Sequence, residues 1–209
     1  YLEQSEPRGL PDAFVIGEKF IGKENVAMIL GDNFFYGQSL SKLLLNNTKL
    51  NKGARVILHK VSKPDSFGVA KINHLNKIVK IKEKPKKFFS DLAITGLYFF
   101  DNHVVKYAKK LKPSKRGEVE IVDLLNFYKS KNQLFADLIG RGGAWLDTGS
   151  MDDFYKTSTF VSSIENQQGL KIACLEEIAF NNKWINKNSI KQSIKFYGNC
   201  DYSRYLKKL

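Results

Sequence analysis

Cysteine, proline, arginine and histidine are all scarce in this 209-residue chain, and each shortage narrows what it can be. Two cysteines, Cys174 and Cys200, are too few for a disulfide framework or a metal cluster. They read as ordinary thiols of a reducing compartment, and a bacterial cytoplasm is the expected location. Five prolines and the absence of any Gly/Ser-rich run leave no linker that marks a domain joint. No apolar run is long enough to span a bilayer, and no charged segment followed by an apolar one opens the chain. The first residue is Tyr1 rather than Met, which suggests a processed or truncated chain. His59, His74 and His103 show no ligand spacing, and no Ser-His-Asp or cysteine-nucleophile pattern is present. Covalent catalysis is not called for.

Positive charge is plentiful. The net charge of +13 raises nucleic acid, anionic lipid and phosphorylated substrates as partners. The excess is almost all lysine, with arginine only at positions 8, 55, 116, 141 and 204. Arginine is the better planar reader of phosphates and bases, so lysine spread along the chain reads as solvated surface. The densest run, Lys82, Lys84, Lys86 and Lys87, is broken by Glu83 and Pro85. Neither nucleic acid nor membrane is expected as a partner.

Hydrophobic content of 43% supports one full α/β domain with a core of its own. Helical spacing runs from Leu10 to Ile21. The apolar run Val26 to Leu30 stops at Gly31-Asp32-Asn33, as a buried parallel strand does. A helix over 39–50 and a strand over 54–59 follow, which predicts a right-handed crossover and a parallel sheet. Alternation over 67–72 and 78–81, with Asn73 to Lys77 between, predicts an antiparallel hairpin insertion. Further strands are expected at 94–100 and 133–139. Helices are expected from Asp101 or Asn102 through Leu111, over 118–131 and over 150–164, with short helices beyond Gln168. The expected fold is thus a Rossmann-like α/β domain: a mixed, mostly parallel sheet flanked by helices, with a hairpin insertion and a helical C-terminal part. Residues 1–150 would form the core, and 151–209 a helical extension packed on it.

Candidate chemistry begins with carboxylates at strand ends. Asp32 follows the first strand, and Asp147 closes the apolar step Ala144-Trp145-Leu146. In open α/β sheets ligands sit outside such ends. Two aspartates delivered this way suit one Mg²⁺, a hard ion that takes one or two carboxylates plus phosphates. Taken singly, each also fits a turn or helix-cap aspartate. Lys82-Glu83-Lys84-Pro85 offers a carboxylate for sugar hydroxyls beside an ammonium for a phosphate, or else a solvated charge run. Arg116 precedes a helix, where it can meet a phosphate or simply occupy a surface loop. Phe34, Phe35, Tyr36, Phe99 and Phe100 read as core rather than as base-stacking groups.

Six strings in order then resemble the sugar-1-phosphate nucleotidylyltransferases, in particular the glucose-1-phosphate thymidylyltransferase branch. They are Leu-Gly-Asp-Asn (30–33), Phe-Gly-Val (67–69), Glu-Lys-Pro (83–85), Thr-Gly-Leu-Tyr (95–98), Arg-Gly-Glu (116–118) and Gly-Arg-Gly-Gly-Ala-Trp-Leu-Asp-Thr-Gly (140–149). The stretches 164–174 and 176–180 are particular to that branch, and the likeness runs from Gln4 to the C-terminus.

The resemblance implies that dTTP and glucose 1-phosphate are joined into dTDP-glucose with release of pyrophosphate, feeding dTDP-rhamnose and surface polysaccharide synthesis. Gln4 and Gly9 would face the base, and Asp32 and Asp147 would bind Mg²⁺. Asn33, Gly68, Glu83, Lys84, Tyr98, Arg116 and Trp145 would hold substrate, with Asp32, Asp147, Lys84 and Arg116 serving catalysis. A homo-oligomer, plausibly a tetramer, is also implied. The family's first strand, Gly-rich triphosphate loop and following helix are absent from these residues, so the chain on its own is expected to be inactive or nearly so. Phe67 stands where Tyr is usual, Val122 where Thr is common, and Gly-Leu-Pro-Asp-Ala (9–13) where the family has Gly-Leu-Ala-Gln-Ala. The alternatives are a UTP- or CTP-using relative, a non-catalytic nucleotide-sugar-binding remnant and, last, a basic nucleic-acid-binding domain.

Overall fold

The computed structural model describes residues Tyr1–Leu209, which divide into two compact units, Tyr1–Asp147 and Thr148–Leu209. The first unit is built on strand β6 (Leu92–Phe100), of which all but the first residue are buried. Its run Ala-Ile-Thr-Gly-Leu-Tyr-Phe-Phe is apolar on both faces, as a central strand must be. On one side β6 pairs antiparallel with β3 (Ala54–Lys60). On the other side two strands pair with it, one after the other along its length. One is β4 (Gly68–Ile72), through Val69 and Ala93, and the other is β1 (Val26–Ile29), through Leu97 to Phe100. Beyond β4 lies β5 (Ile78–Glu83), and beyond β3 lies β7 (Leu134–Leu138).

Only β3 and β7 pair in parallel, so the sheet is mixed and mostly antiparallel rather than mostly parallel as expected. The strand–helix–strand inference was sound in direction. β1 and β3 do run the same way, but β6 comes back from a distant part of the chain and lies between them, antiparallel to both. The expected hairpin is present as β4–β5, closed by a turn in which Asn76 takes φ 54°.

The central strands β3 and β6 bury both faces. Val56, Leu58, Tyr98 and Phe100 point to one side, where they meet Phe14 of α1 (Asp12–Ile16), Val104 and Val105 of α4 (Val104–Ala108) and Leu124, Leu125 and Tyr128 of α5 (Ile121–Ser130). Ile57, Leu97 and Phe99 point to the other, against Leu43 and Leu44 of α3 (Leu40–Thr48) and Phe35. This is the period-two alternation of strands read out as two cores. The predicted helix over 10–21 is two short pieces, α1 and α2 (Glu18–Ile21), parted at Gly17. A strand not foreseen, β2 (Asn33–Gly37), pairs antiparallel with β8 (Gly143–Asp147) as a separate ribbon.

In the second unit α6 (Met151–Gln168) starts at Ser150, whose hydroxyl accepts from the Asp153 N–H, and stops at Gly169 with φ 68°. The remaining helices are α7 (Leu175–Asn181), α8 (Lys187–Tyr197) and α9 (Asp201–Leu206). Their shared core is Cys174, Ile190, Tyr205 and Leu206. No helix is long and apolar enough to cross a membrane.

Asp101 was read as a helix cap, and it does more. Its buried carboxylate accepts from the Gly53 N–H at 2.7 Å, the His103 N–H at 3.1 Å and the Tyr128 hydroxyl at 2.8 Å. The end of β6, the entry to β3 and helix α5 are thereby tied to one side chain. Burial, then the hydrogen bond to Asp101, pushes the Tyr128 phenol far above its ordinary value, so it remains a donor. Tyr128→Phe removes that donor while keeping the ring. It is expected to lower unfolding free energy in urea by about 1–3 kcal/mol, and a loss too small to resolve would show the network is not a determinant of stability.

Candidate functional site

Along the edge of β6 the two neighbouring strands do not touch end to end. β4 stops pairing at Ala93 and β1 begins at Leu97. The ladder with β3 also slips between Val56 and Leu58, so extra residues of β6 are taken up in a bulge, where the Thr95 hydroxyl donates to the Ile57 carbonyl at 2.9 Å. Gly96 therefore faces a gap in the sheet. Its C=O accepts from the Leu30 N–H at 2.9 Å, and its N–H has no strand to pair with.

A buried N–H requires a partner, and here it is a side chain. Oδ1 of Asn33 accepts from the Gly96 N–H at 2.9 Å and from the indole N–H of Trp145 at 2.6 Å. Nδ2 of Asn33 donates to Oδ1 of Asp32 at 2.8 Å. A Cβ at position 96 would lie 2.7 Å from Cγ of Asn33, so only glycine admits this approach. Asn33 in turn stands opposite Asp147 in the β2–β8 ladder. The two aspartates predicted from sequence thus arrive side by side, one just before β2 and the other at the end of β8. No third His, Cys, Asp or Glu joins them in a cluster. Two carboxylates of adjacent strands are a fitting donor set for Mg²⁺, which keeps several waters and takes phosphate oxygens in its other positions.

Tyr98 is buried, and its phenol is pushed far above its ordinary value, first by burial and then by the charges of Glu83 in the hairpin and of Asp32. Gly68 pairs with Glu83 in the β4–β5 ladder, and the Lys84 N–H donates to the Phe67 carbonyl at 3.1 Å. Lys84 takes φ 38°, a left-handed turn that brings the chain sharply out of β5 toward buried Pro85. Desolvation raises the Glu83 carboxyl above its ordinary value. Lys84 opposes the shift, Glu120 adds to it and Arg116 opposes it, which places all four groups within electrostatic reach. Arg116 faces Glu118 at 3.8 Å and Glu120 at 4.0 Å, and the Ser114 hydroxyl donates to Glu120 at 2.9 Å.

Gln4 and Gly9 join at the far end. The Val119 N–H donates to the Arg8 carbonyl at 2.8 Å, and a Cβ on Gly9, which has φ 101°, would strike the Val119 carbonyl. The amide of Gln4 folds this loop on itself, donating to the Gly9 carbonyl at 3.2 Å and to Asp12 at 3.0 Å.

The structure brings the sequence-predicted residues together in local groups. Asn33 links Asp32 and Trp145 and stands opposite Asp147. Gly68 pairs with Glu83, whose carboxyl feels the charges of Lys84 and Arg116, and Gln4 and Gly9 share one loop. Trp145 is a buried ring whose N–H is already engaged, with Phe67 edge-on at 5.0 Å and His59 at 6.3 Å. Burial holds His59 below its ordinary value, so it is a neutral neighbour. Sequence reasoning passed over Gly96 and Glu120. Glu120 had a weak signal, an acidic residue just ahead of a helix. Gly96 lay inside the Thr-Gly-Leu-Tyr string (95–98) but was given no role, because a bulge opposite β3 leaves no mark in the alternation of β6.

The sequence model for nucleotidyl transferases matches residues 1–164. The chain belongs to that family. It is a homologue of glucose-1-phosphate thymidylyltransferases. The protein of that name from Neisseria meningitidis serogroup A is 44% identical over 209 residues, covering all of this chain and 73% of the relative. The one from Mycobacterium tuberculosis H37Rv is 37% identical, with 72% of the relative covered. A solved structure from Bacillus anthracis, provisionally assigned to the same activity and holding sucrose, shares 36% identity at a TM-score of 0.67. It covers 75% of this chain, and this chain spans 62% of its length, less than two thirds. A UDP-glucose pyrophosphorylase with UDP-glucose bound, 24% identical at a TM-score of 0.69, shares the fold.

Two expected outcomes test the family site as built here. Gly96→Ala must displace Asn33 and should cost about 1–3 kcal/mol in urea unfolding; parent-like stability would show that the amide has room to move. Glu83 carries the other test. Its folded carboxyl binds the proton more tightly than the unfolded one, so Glu83 lowers stability as pH rises above its ordinary value near 4.5. Glu83→Gln should flatten the pH dependence of the thermal midpoint just above that pH, without loss of stability at neutral pH. An unchanged profile would remove Glu83 from the desolvated group.

Proposed function

We propose that this chain carries the sugar-phosphate and metal-binding part of a nucleotidylyltransferase that joins dTTP and glucose 1-phosphate into dTDP-glucose and pyrophosphate. The observation that carries the reading is the pair Asp32 and Asp147, set side by side by the β2–β8 ladder and continued by Tyr98, Glu83, Lys84 and Arg116. Similarity to thymidylyltransferases over the full chain supports the choice of nucleotide.

Glu83 accepts hydroxyl hydrogens of the sugar, and because burial raises its carboxyl this capacity is lost at a higher pH than for an ordinary glutamate. Lys84 and Arg116 attract the phosphate of glucose 1-phosphate and hold one of its oxygens toward the α-phosphorus of dTTP. A P–O bond forms there while the α–β P–O bond breaks, and the electron pair leaves with pyrophosphate. Both reactants are anions, so the residues act chiefly by placement and charge, and placement alone is worth about 7–11 kcal/mol at the upper end. Asp32 and Asp147 would hold Mg²⁺, which when bound would neutralise charge on the triphosphate and on the leaving group. Gln4 and Gly9 border the base. The same proposal has the whole protein working as a homo-oligomer in the cytoplasm.

Pyrophosphate release from dTTP and glucose 1-phosphate is the direct test, in the chain together with the full family length. The 209 residues alone are expected to be silent, because they hold no Gly-rich loop of the kind that cradles a triphosphate. Asp32→Ala and Asp147→Ala should each lower kcat/KM by about 10²–10³-fold, the range seen when a group stabilising transition-state charge is removed. Release with UTP and not dTTP would reassign the base. Release unaffected by either aspartate variant would end the reading.

A further inference from the structure

We propose that Asn33 is a positioning residue whose side-chain amide sets the direction in which Asp32 presents its carboxylate. The inference rests on the two-carboxylate reading of the site and deepens it.

The amide has only one orientation open to it. Its oxygen faces two N–H groups, the backbone N–H of Gly96 and the indole N–H of Trp145, and neither of those can accept a hydrogen bond. With both lone pairs of Oδ1 engaged, Nδ2 is turned toward Asp32 and donates to its Oδ1. Reversing the amide would set an NH₂ group against two donors and an oxygen against a carboxylate. The direction of Asp32 is therefore inherited from β6 and β8 through a single planar group.

Other side chains fail for distinct reasons. Serine has one short-armed oxygen and cannot span both donors and the carboxylate. Glutamine is a methylene too long for the gap facing Gly96, where a single added carbon already collides. Aspartate would keep both acceptors and put a second negative charge in front of Asp32. Asn33 acts mainly through Asp32, and its part in holding sugar is secondary.

Partners that orient a metal-binding carboxylate change metal affinity by about 10–100-fold when removed. Mn²⁺ alone serves as the probe, with the free ion counted by electron paramagnetic resonance and the urea midpoint of each variant measured alongside. Asp32→Asn defines the background. Asn33→Ala is expected to weaken Mn²⁺ binding by about tenfold or more. Trp145→Phe keeps a ring and removes one of the two donors that hold the amide. It should weaken binding by roughly fivefold, although Trp145 itself offers the ion no ligand.

Parent-like affinity in Asn33→Ala overturns the inference. If that variant does not fold, parent-like affinity in Trp145→Phe overturns it instead. Should the parent bind no better than Asp32→Asn, the carboxylate reading itself falls and this inference falls with it.

Discussion

One unpaired backbone N–H organises this molecule. Gly96 sits where two strands fail to meet along the edge of β6, and a buried amide N–H without a partner costs about as much as a lost hydrogen bond. Supplying the partner from Asn33 fixes where β2 begins. That start sets the register of β2 on β8, which brings Asp147 opposite Asn33 and next to Asp32. A local defect in a sheet thus becomes the place where two carboxylates meet. Had β4 and β1 joined into one continuous strand, Gly96 would have been satisfied by backbone and the Asn33 amide would have lost one of the two donors that hold it.

The same economy runs down the hairpin. Glu83 is paired with Gly68 by the β4–β5 ladder, and Lys84 leaves the strand through a left-handed turn. Strand geometry therefore fixes the carboxylate, and the exit turn fixes the start of the ammonium beside it. Arg116 is held differently. It lies on an exposed turn between Glu118 and Glu120, where ion pairs of 3.8 and 4.0 Å are weak restraints. The carboxylate is thus placed by the ladder, and the Arg116 cation is only loosely tethered.

Legibility in the sequence followed the range of the interactions. The strand Val26–Ile29, the helix over Leu40–Thr48, the β4–β5 hairpin and the apolar core of β6 were all readable, because each is specified by neighbours within a few residues. The direction of the sheet was not. Whether β1 and β3 lie side by side depends on β6, some seventy residues after β1, and no periodicity in either strand records it. The ribbon β2–β8 escaped for the same reason. Asn-Phe-Phe-Tyr reads as core aromatics until its partner more than a hundred residues away is known. The site residues were legible as separate strings. That three of those strings, around Asn33, Gly96 and Trp145, meet at one amide could be learned only from the fold.

That separation also orders events in time. The hydrogen bond from Trp145 to Asn33 spans 112 residues of chain, so the entropy of closing a very long loop stands before it. Contacts of this kind form late, after local hairpins and helices have collapsed. The hairpin β4–β5 can exist early, in a molecule whose two aspartates are still far apart. The pairing that brings Asp147 opposite Asn33 is then acquired last, as a mark that the sheet has closed, and the nascent chain passes through a stage that is largely structured with its two carboxylates still unassembled.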